Sequence, residues 1–196
     1  MSEAIRCFLA VELTEDVRKA TADLLDRLRK GIQFTKAHPA WVRIDNQHFT
    51  VIFLGTRPPE EVERFRDVLN DLPGVIAPFR VAVGGLGVFP SERKPRVLWL
   101  GVREGTEAFQ ALHKALIERL QRTGFEPERR PFHPHLTLAR IKSLRGTGEM
   151  MDVVNSHRGA ACGEFTAEGL TLFRSQLHPA GAVYTPLAQW HFEKNP

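Results

Sequence analysis

The sequence predicts an α+β fold in which two pseudo-symmetric lobes, built on two mainly antiparallel sheets, face a central cleft and carry their helices outside. Three observations predict it. Strand-like and amphipathic helical segments follow one another in an irregular order that mixes hairpin connections with helical crossovers, as in α+β rather than doubly wound proteins. A short pattern of His, apolar, Thr, apolar occurs at His48-Phe49-Thr50-Val51 and again, 87 residues later, at His135-Leu136-Thr137-Leu138, each copy preceded by a long helical segment in its own half. Finally, 196 residues with 42% hydrophobic content suffice for a full core, so 1–196 reads as a single two-lobed domain.

The elements follow in order. Residues 4–13 are rich in strand formers. Thr14 can cap a helix reaching about Lys30, with Val17, Thr21, Leu24, Leu25, Leu28 and Ile32 at helical spacing and Gly31 closing it. A short strand at 41–44 leads through Asp45-Asn46 into the first His/Thr strand, which Gly55 ends. Pro58 and Pro59 suit a helix first turn, with Glu60 and Glu61 at its positive end. Val62, Phe65, Val68, Leu69 and Leu72 form its buried stripe before Pro73-Gly74. Strands are expected at 79–83 and 96–102, separated by a kink at Gly84-Gly85-Leu86-Gly87. A third helix, roughly 106–122, buries Phe109, Leu112, Leu116, Ile117 and Leu120 and stops at Gly124. After the second His/Thr strand, 146–159 reads as a loop with one or two helical turns near 150–155. Strands at 165–173 and 183–192, joined through 177–181, complete the chain.

In a strand, residues two apart share a face, with Cα atoms about 6.5 Å apart. Each motif therefore presents an imidazole and a hydroxyl on one side, while Phe49, Val51, Phe53, Leu136 and Leu138 are expected to face the core. Hydrolysis of a phosphodiester needs a base for water, an acid for the departing oxygen and donors for the phosphoryl oxygens. Imidazole titrates near neutrality and serves the first two needs; Thr hydroxyls serve the third. A single such pair is usually an ordinary half-buried polar contact. Two copies flanked by basic residues point to a paired acid/base site.

Charge supports the same class of ligand without proving it. The formal charge is +4 and the pI about 9.4, which favours a polyanionic partner. The basic residues bracket the motifs: Arg93, Lys94 and Arg96, then Arg129 and Arg130, then Arg140, Lys142 and Arg145. His133-Pro134-His135 has a zinc-like spacing, but Asp45 is the only nearby carboxylate, so neither a metal nor a cofactor is expected. The glycines at 84–87 match neither a dinucleotide fingerprint nor a phosphate loop. Cys7 and Cys162 show no paired spacing and are expected to be reduced. With no apolar run near membrane-spanning length and an acidic residue at position 3, the chain is expected to be cytoplasmic and away from membranes.

At these residues the chain resembles the two-histidine phosphoesterase superfamily, and within it the RNA 2′,3′-cyclic phosphodiesterases once called 2′-5′ RNA ligases. The likeness takes in Arg6-Cys7-Phe8-Leu9-Ala10-Val11, Trp41-Val42, both motifs through Gly55 and Arg140, and the end segment Leu172-Phe173-Arg174-Ser175-Gln176-Leu177 with Pro179, Gly181 and Tyr184. The resemblance implies a bilobal fold and metal-independent opening of an RNA terminal 2′,3′-cyclic phosphate to a 2′-phosphomonoester. It implies His48 as proton donor, His135 as proton acceptor, Thr50 and Thr137 on the phosphate, and Arg140 on the substrate. Strict alternation would turn Arg140 away from His135, so a bulge or strand end must intervene. Reversible 2′-5′ RNA ligation and non-catalytic RNA binding are the alternatives, and a monomer is expected.

Overall fold

The computed structural model describes residues 3–33, 35–179 and 181–193. Met1 and Ser2 of the opening stretch, and Ala180 in the predicted connection at 177–181, lie outside the described residues. In chain order the main elements are β1 (Ile5–Glu12), α1 (Glu15–Ile32), β2 (Ala40–Trp41), β3 (His48–Arg57), α2 (Pro59–Val68), β4 (Phe79–Phe89), β5 (Val97–Glu104), α3 (Thr106–Leu120), β6 (Leu136–Arg140), α4 (Thr147–Ser156), β7 (Ala161–Ala167), β8 (Gly169–His178) and β9 (Gly181–His191). The class is α+β, and every strand pairing is antiparallel.

The strand order is β7-β4-β5-β6-β3-β1-β8-β9, with β2 added to β6. Two four-stranded halves thus meet at β6 and β3, the strands that carry the two motifs. The sequence led us to expect two sheets; the halves instead form one curled hydrogen-bonded sheet, in which β3 and β6 register at a single pair among the described residues, Phe49 with Leu136, and β2 also pairs with β6. The joint is closed by side chains. Phe49 is fully buried, with its ring centroid 5.1 Å from Phe109 of α3 and 6.4 Å from Phe165 of β7 in the other half. Helices cover this face, so the opposite face of the same strands is left to form the cleft.

The predicted stripe of α1 is buried at all six positions, because a helix of period 3.6 brings those residues onto one side. In α2 and the turn after it, Val62, Phe65, Leu69 and Leu72 are buried, while Val68 is only partly covered. Three expectations need correction. The glycine segment 84–87 does not separate two strands: β4 runs through it, with register shifts in its pairing to β5. Gly84 is required there, since a Cβ would lie 2.7 Å from the Ala160 carbonyl oxygen. The expected strand at 165–173 is two strands: β7 pairs with β4 in one half and β8 with β1 in the other, and the chain crosses between them at Glu168. The loop at 146–159 contains the ten-residue α4, whose Met150, Met151 and Val154 are buried. No helix among the described residues is long and apolar enough to cross a membrane.

Candidate active site

The register at the joint builds the site. Phe49 and Leu136 face each other and point into the core, so their neighbours point into the cleft. In an antiparallel pair this sets His48 opposite Thr137 and Thr50 opposite His135. The two imidazoles occupy one diagonal and the two hydroxyls the other, with diagonal partners about 7–8 Å apart. All four side chains are half-buried. The structure therefore brings together His48, Thr50, His135 and Thr137.

His135 is oriented by the carbonyl two residues before it: its Nδ1–H donates to the His133 carbonyl at 2.7 Å. A donor at Nδ1 leaves Nε2 of His135 as its working atom. In His48 Nε2 is hydrogen-bonded to the Thr50 hydroxyl at 2.9 Å.

Aromatic walls surround both rings. His48 stacks on Phe8 at 4.7 Å and meets Tyr184 edge-on at 5.2 Å, with Phe173 at 6.2 Å. His135 meets Phe89 edge-on at 5.1 Å and lies 6.4 Å from Trp99. The Trp99 ring has room because position 87 is glycine; a Cβ there would collide with the indole. Of these walls, Phe8, Phe173 and Tyr184 belong to the segments that carry the resemblance, but their place beside His48 comes from three separate strands and is not visible in one-dimensional spacing.

Burial dominates the titration. Desolvation pulls His48 down to about 4, opposed by the Asn46 carbonyl and assisted by the charges of Arg18 and His135. His135 is also lowered, first by desolvation, against the His133 carbonyl and with help from His133 and Arg140. Both rings are therefore neutral at pH 7 before an anion arrives. The unfolded chain binds these protons near the ordinary value of 6.5, so the stabilisation is complete above pH 6.5 and is lost as pH falls toward 4. For His48 alone this amounts to up to about 3 kcal/mol. Urea unfolding between pH 7 and 4 is expected to show His48→Gln losing less stability than the parent chain; equal losses would refute this.

Arg140 reaches the cleft through a β-bulge. In the β5–β6 ladder Leu98 pairs with Ala139 and Trp99 with Thr137, so Leu138 is an extra residue, and both Leu138 and Ala139 face the core. Alternation is reset and Arg140 emerges exposed on the side of His135, where its charge bears on His135 and Tyr184. The same device occurs in the first motif. Ile52 pairs with Leu9 and Thr50 with Ala10, leaving Val51 as the extra residue. Phe53, expected in the core, is for that reason 51% exposed, with its ring 6.1 Å from Phe8.

No group of three or more His, Cys, Asp or Glu among the described residues is arranged to hold a metal ion. His133 stands apart from the four-residue set, near Phe89 at 6.4 Å.

Comparison with known proteins gives a consistent picture. The 2′-5′ RNA ligase superfamily matches residues 17–179. The RNA 2′,3′-cyclic phosphodiesterase of Methanothermobacter thermautotrophicus is 34% identical over 183 residues, spanning 93% of this chain and 96% of the relative. Its namesake from Thermus thermophilus is 34% identical over 194 residues, spanning 95% and 89%. Among solved structures, TT0787 of Thermus thermophilus superimposes with a TM-score of 0.78 at 32% identity, covering 96% of this chain and 98% of that one. LigT of E. coli in its apo form gives 0.75 at 25% identity, covering 98% and 100%.

Proposed function

The chain belongs to the 2′-5′ RNA ligase superfamily, and on that premise we propose that it opens the 2′,3′-cyclic phosphate at the end of an RNA, giving a 2′-phosphomonoester. The observation that carries this reading is the crossed arrangement of two His and two Thr around one opening. Nε2 of His135 takes a proton from water as the water oxygen bonds to phosphorus. The bond from phosphorus to O3′ breaks, and His48 delivers its Nε2 proton to that oxygen. Thr50, Thr137 and Arg140 hold the phosphoryl oxygens, where negative charge accumulates.

A donor with a free-site value of about 4 needs help to carry a proton near neutrality. The substrate supplies it. A phosphate anion in the cleft favours imidazolium, and the Thr50 hydroxyl, released from Nε2, can turn to a phosphoryl oxygen.

The same reading has the whole of 1–196 acting as one two-lobed, monomeric unit in the cytoplasm, without metal or cofactor. It is supported by the sheet continuous through both halves and by Cys7 and Cys162, which are both free and buried. The test is incubation of an RNA ending in 2′,3′-cyclic phosphate with the protein and a chelator. Conversion to the 2′-phosphate is expected at an undiminished rate, and Thr50→Ala or Thr137→Ala is expected to slow it less than loss of either imidazole. No ring opening, or opening abolished by the chelator, would sink the reading.

A further inference from the structure

We infer, resting on the reading above, that the substrate is the 3′ end of a single-stranded RNA several nucleotides long. Its upstream phosphates lie on an uncompensated cationic rim of the second half formed by Arg93, Lys94, Arg96, Lys142 and Arg145. The two halves share a backbone plan but differ in what they present beside the histidines. At equivalent positions, five residues after each motif histidine, the first half offers Phe53 and the second Arg140. Phe53 joins Phe8, next to Phe173 and Tyr184, as an apolar shelf beside His48. The leaving O3′ is on that side, which suits the terminal nucleoside.

Ion pairing sets the rim apart from several arginines elsewhere on the surface, of the second half as well as the first: Arg80 pairs with Glu104 and Arg158 with Glu92. Around the first half, Arg18 pairs with Glu15, Arg43 with Asp45, Arg57 with Glu61 and Arg174 with Glu3, at 3.4–3.9 Å. None of the five rim cations has a carboxylate within 4.0 Å among the described residues, and all five are exposed. The one acid in the β4–β5 turn, Glu92, is occupied by Arg158, and no Asp or Glu occurs between Arg129 and Gly148.

The rim is a built surface and is continuous with the cleft. The Arg96 carbonyl accepts from Ile141 N–H at 2.9 Å, Arg96 Nη1 donates to the Lys142 carbonyl at 2.8 Å, and Val97 pairs with Arg140. The hairpin that carries Arg93 and Lys94 also supplies Phe89, whose ring edge meets His135. Clustered like charges repel one another until a polyanion joins them. A mononucleotide bound through its cyclic phosphate at the histidines has no second phosphodiester to place on the rim, whereas a single strand has a series of them. Cations with an adjoining aromatic surface are the usual means of holding such a strand.

The test compares a 2′,3′-cyclic mononucleotide with an eight-nucleotide RNA bearing the same end, using the parent chain and R93A/K94A/K142A. The parent is expected to show a lower KM for the RNA. The triple variant is expected to raise that KM about tenfold or more and to flatten its salt dependence by about 2 in log–log slope, for three lost phosphate contacts. Its kcat/KM on the mononucleotide is expected to be unchanged. An unaltered KM for the RNA, or equal losses on both substrates, would overturn the inference. If the parent opens neither substrate, the cyclic phosphodiesterase reading has failed, and fluorescence anisotropy with the eight-nucleotide RNA ending in a 2′-phosphate decides the rim by itself. Salt-sensitive binding lost in the triple variant upholds it; binding equal in both proteins, or equally tight to a duplex of the same length, overturns it.

Discussion

Replacing His48 or His135 by Ala is expected to lower turnover of an RNA 2′,3′-cyclic phosphate by about 10²–10⁴-fold, the usual cost of losing a positioned acid or base. The double variant should lose far less than the product of the two, because the acid and the base serve one displacement. The pH profile distinguishes the two residues from mere supports of the fold. The free site sets kcat/KM, and there His48 titrates near 4 while His135 is also lowered from 6.5. The maximum of kcat/KM is therefore expected on the acid side of 6.5, and that of kcat at higher pH, since bound phosphate raises the imidazole values. Each single variant should lose one limb of the bell. A loss of turnover under about tenfold in both, with a kcat/KM maximum above pH 8, would contradict the assignment of acid and base.

Phe49→Ala is expected to destabilise the protein by about 3–5 kcal/mol, the range for truncating a fully buried Phe. The position leads us to expect the upper part. Among the described residues β3 and β6 register only at Phe49 and Leu136, and Phe49 packs against Phe109 of α3 and Phe165 of β7, so one ring touches a helix and the far edge of the other half. Its flanking residues are His48 and Thr50, so any variant population that stays folded should also turn over more slowly. Denaturant unfolding at pH 7 measures the first effect, and a loss below about 1 kcal/mol would show that the joint does not depend on this side chain.

The two His and two Thr of the motifs are legible in the sequence because each pair lies two apart in extended backbone, His48 and Thr50 within β3 and His135 immediately before β6, where a period of two fixes the face. The stripe of α1 is legible for the corresponding reason, a period of 3.6 over five turns. What cannot be read there comes from contacts between strands distant in sequence. The aromatic wall around His48 draws Phe8 from β1, Phe173 from β8 and Tyr184 from β9. The division of 165–173 depends on which strand each part pairs with, since Phe165 and Leu172 are equally apolar. Arg119 of α3 is buried, its Nε donating to Asp71 in the turn after α2 at 2.8 Å, a contact between residues 48 apart in the chain. Phe53 departs from its expected place in the core because a bulge changes parity without changing residue type.

That pair of bulges bears on how such a protein diversifies. Each copy of the motif keeps its imidazole and its hydroxyl on fixed rungs, and the extra residue then lifts the fifth position after the histidine into the same opening. One copy now holds an aromatic ring there and the other a guanidinium. A substitution at either position changes the chemistry on one side of the opening and leaves the four His and Thr side chains untouched, so the two are free to evolve separately.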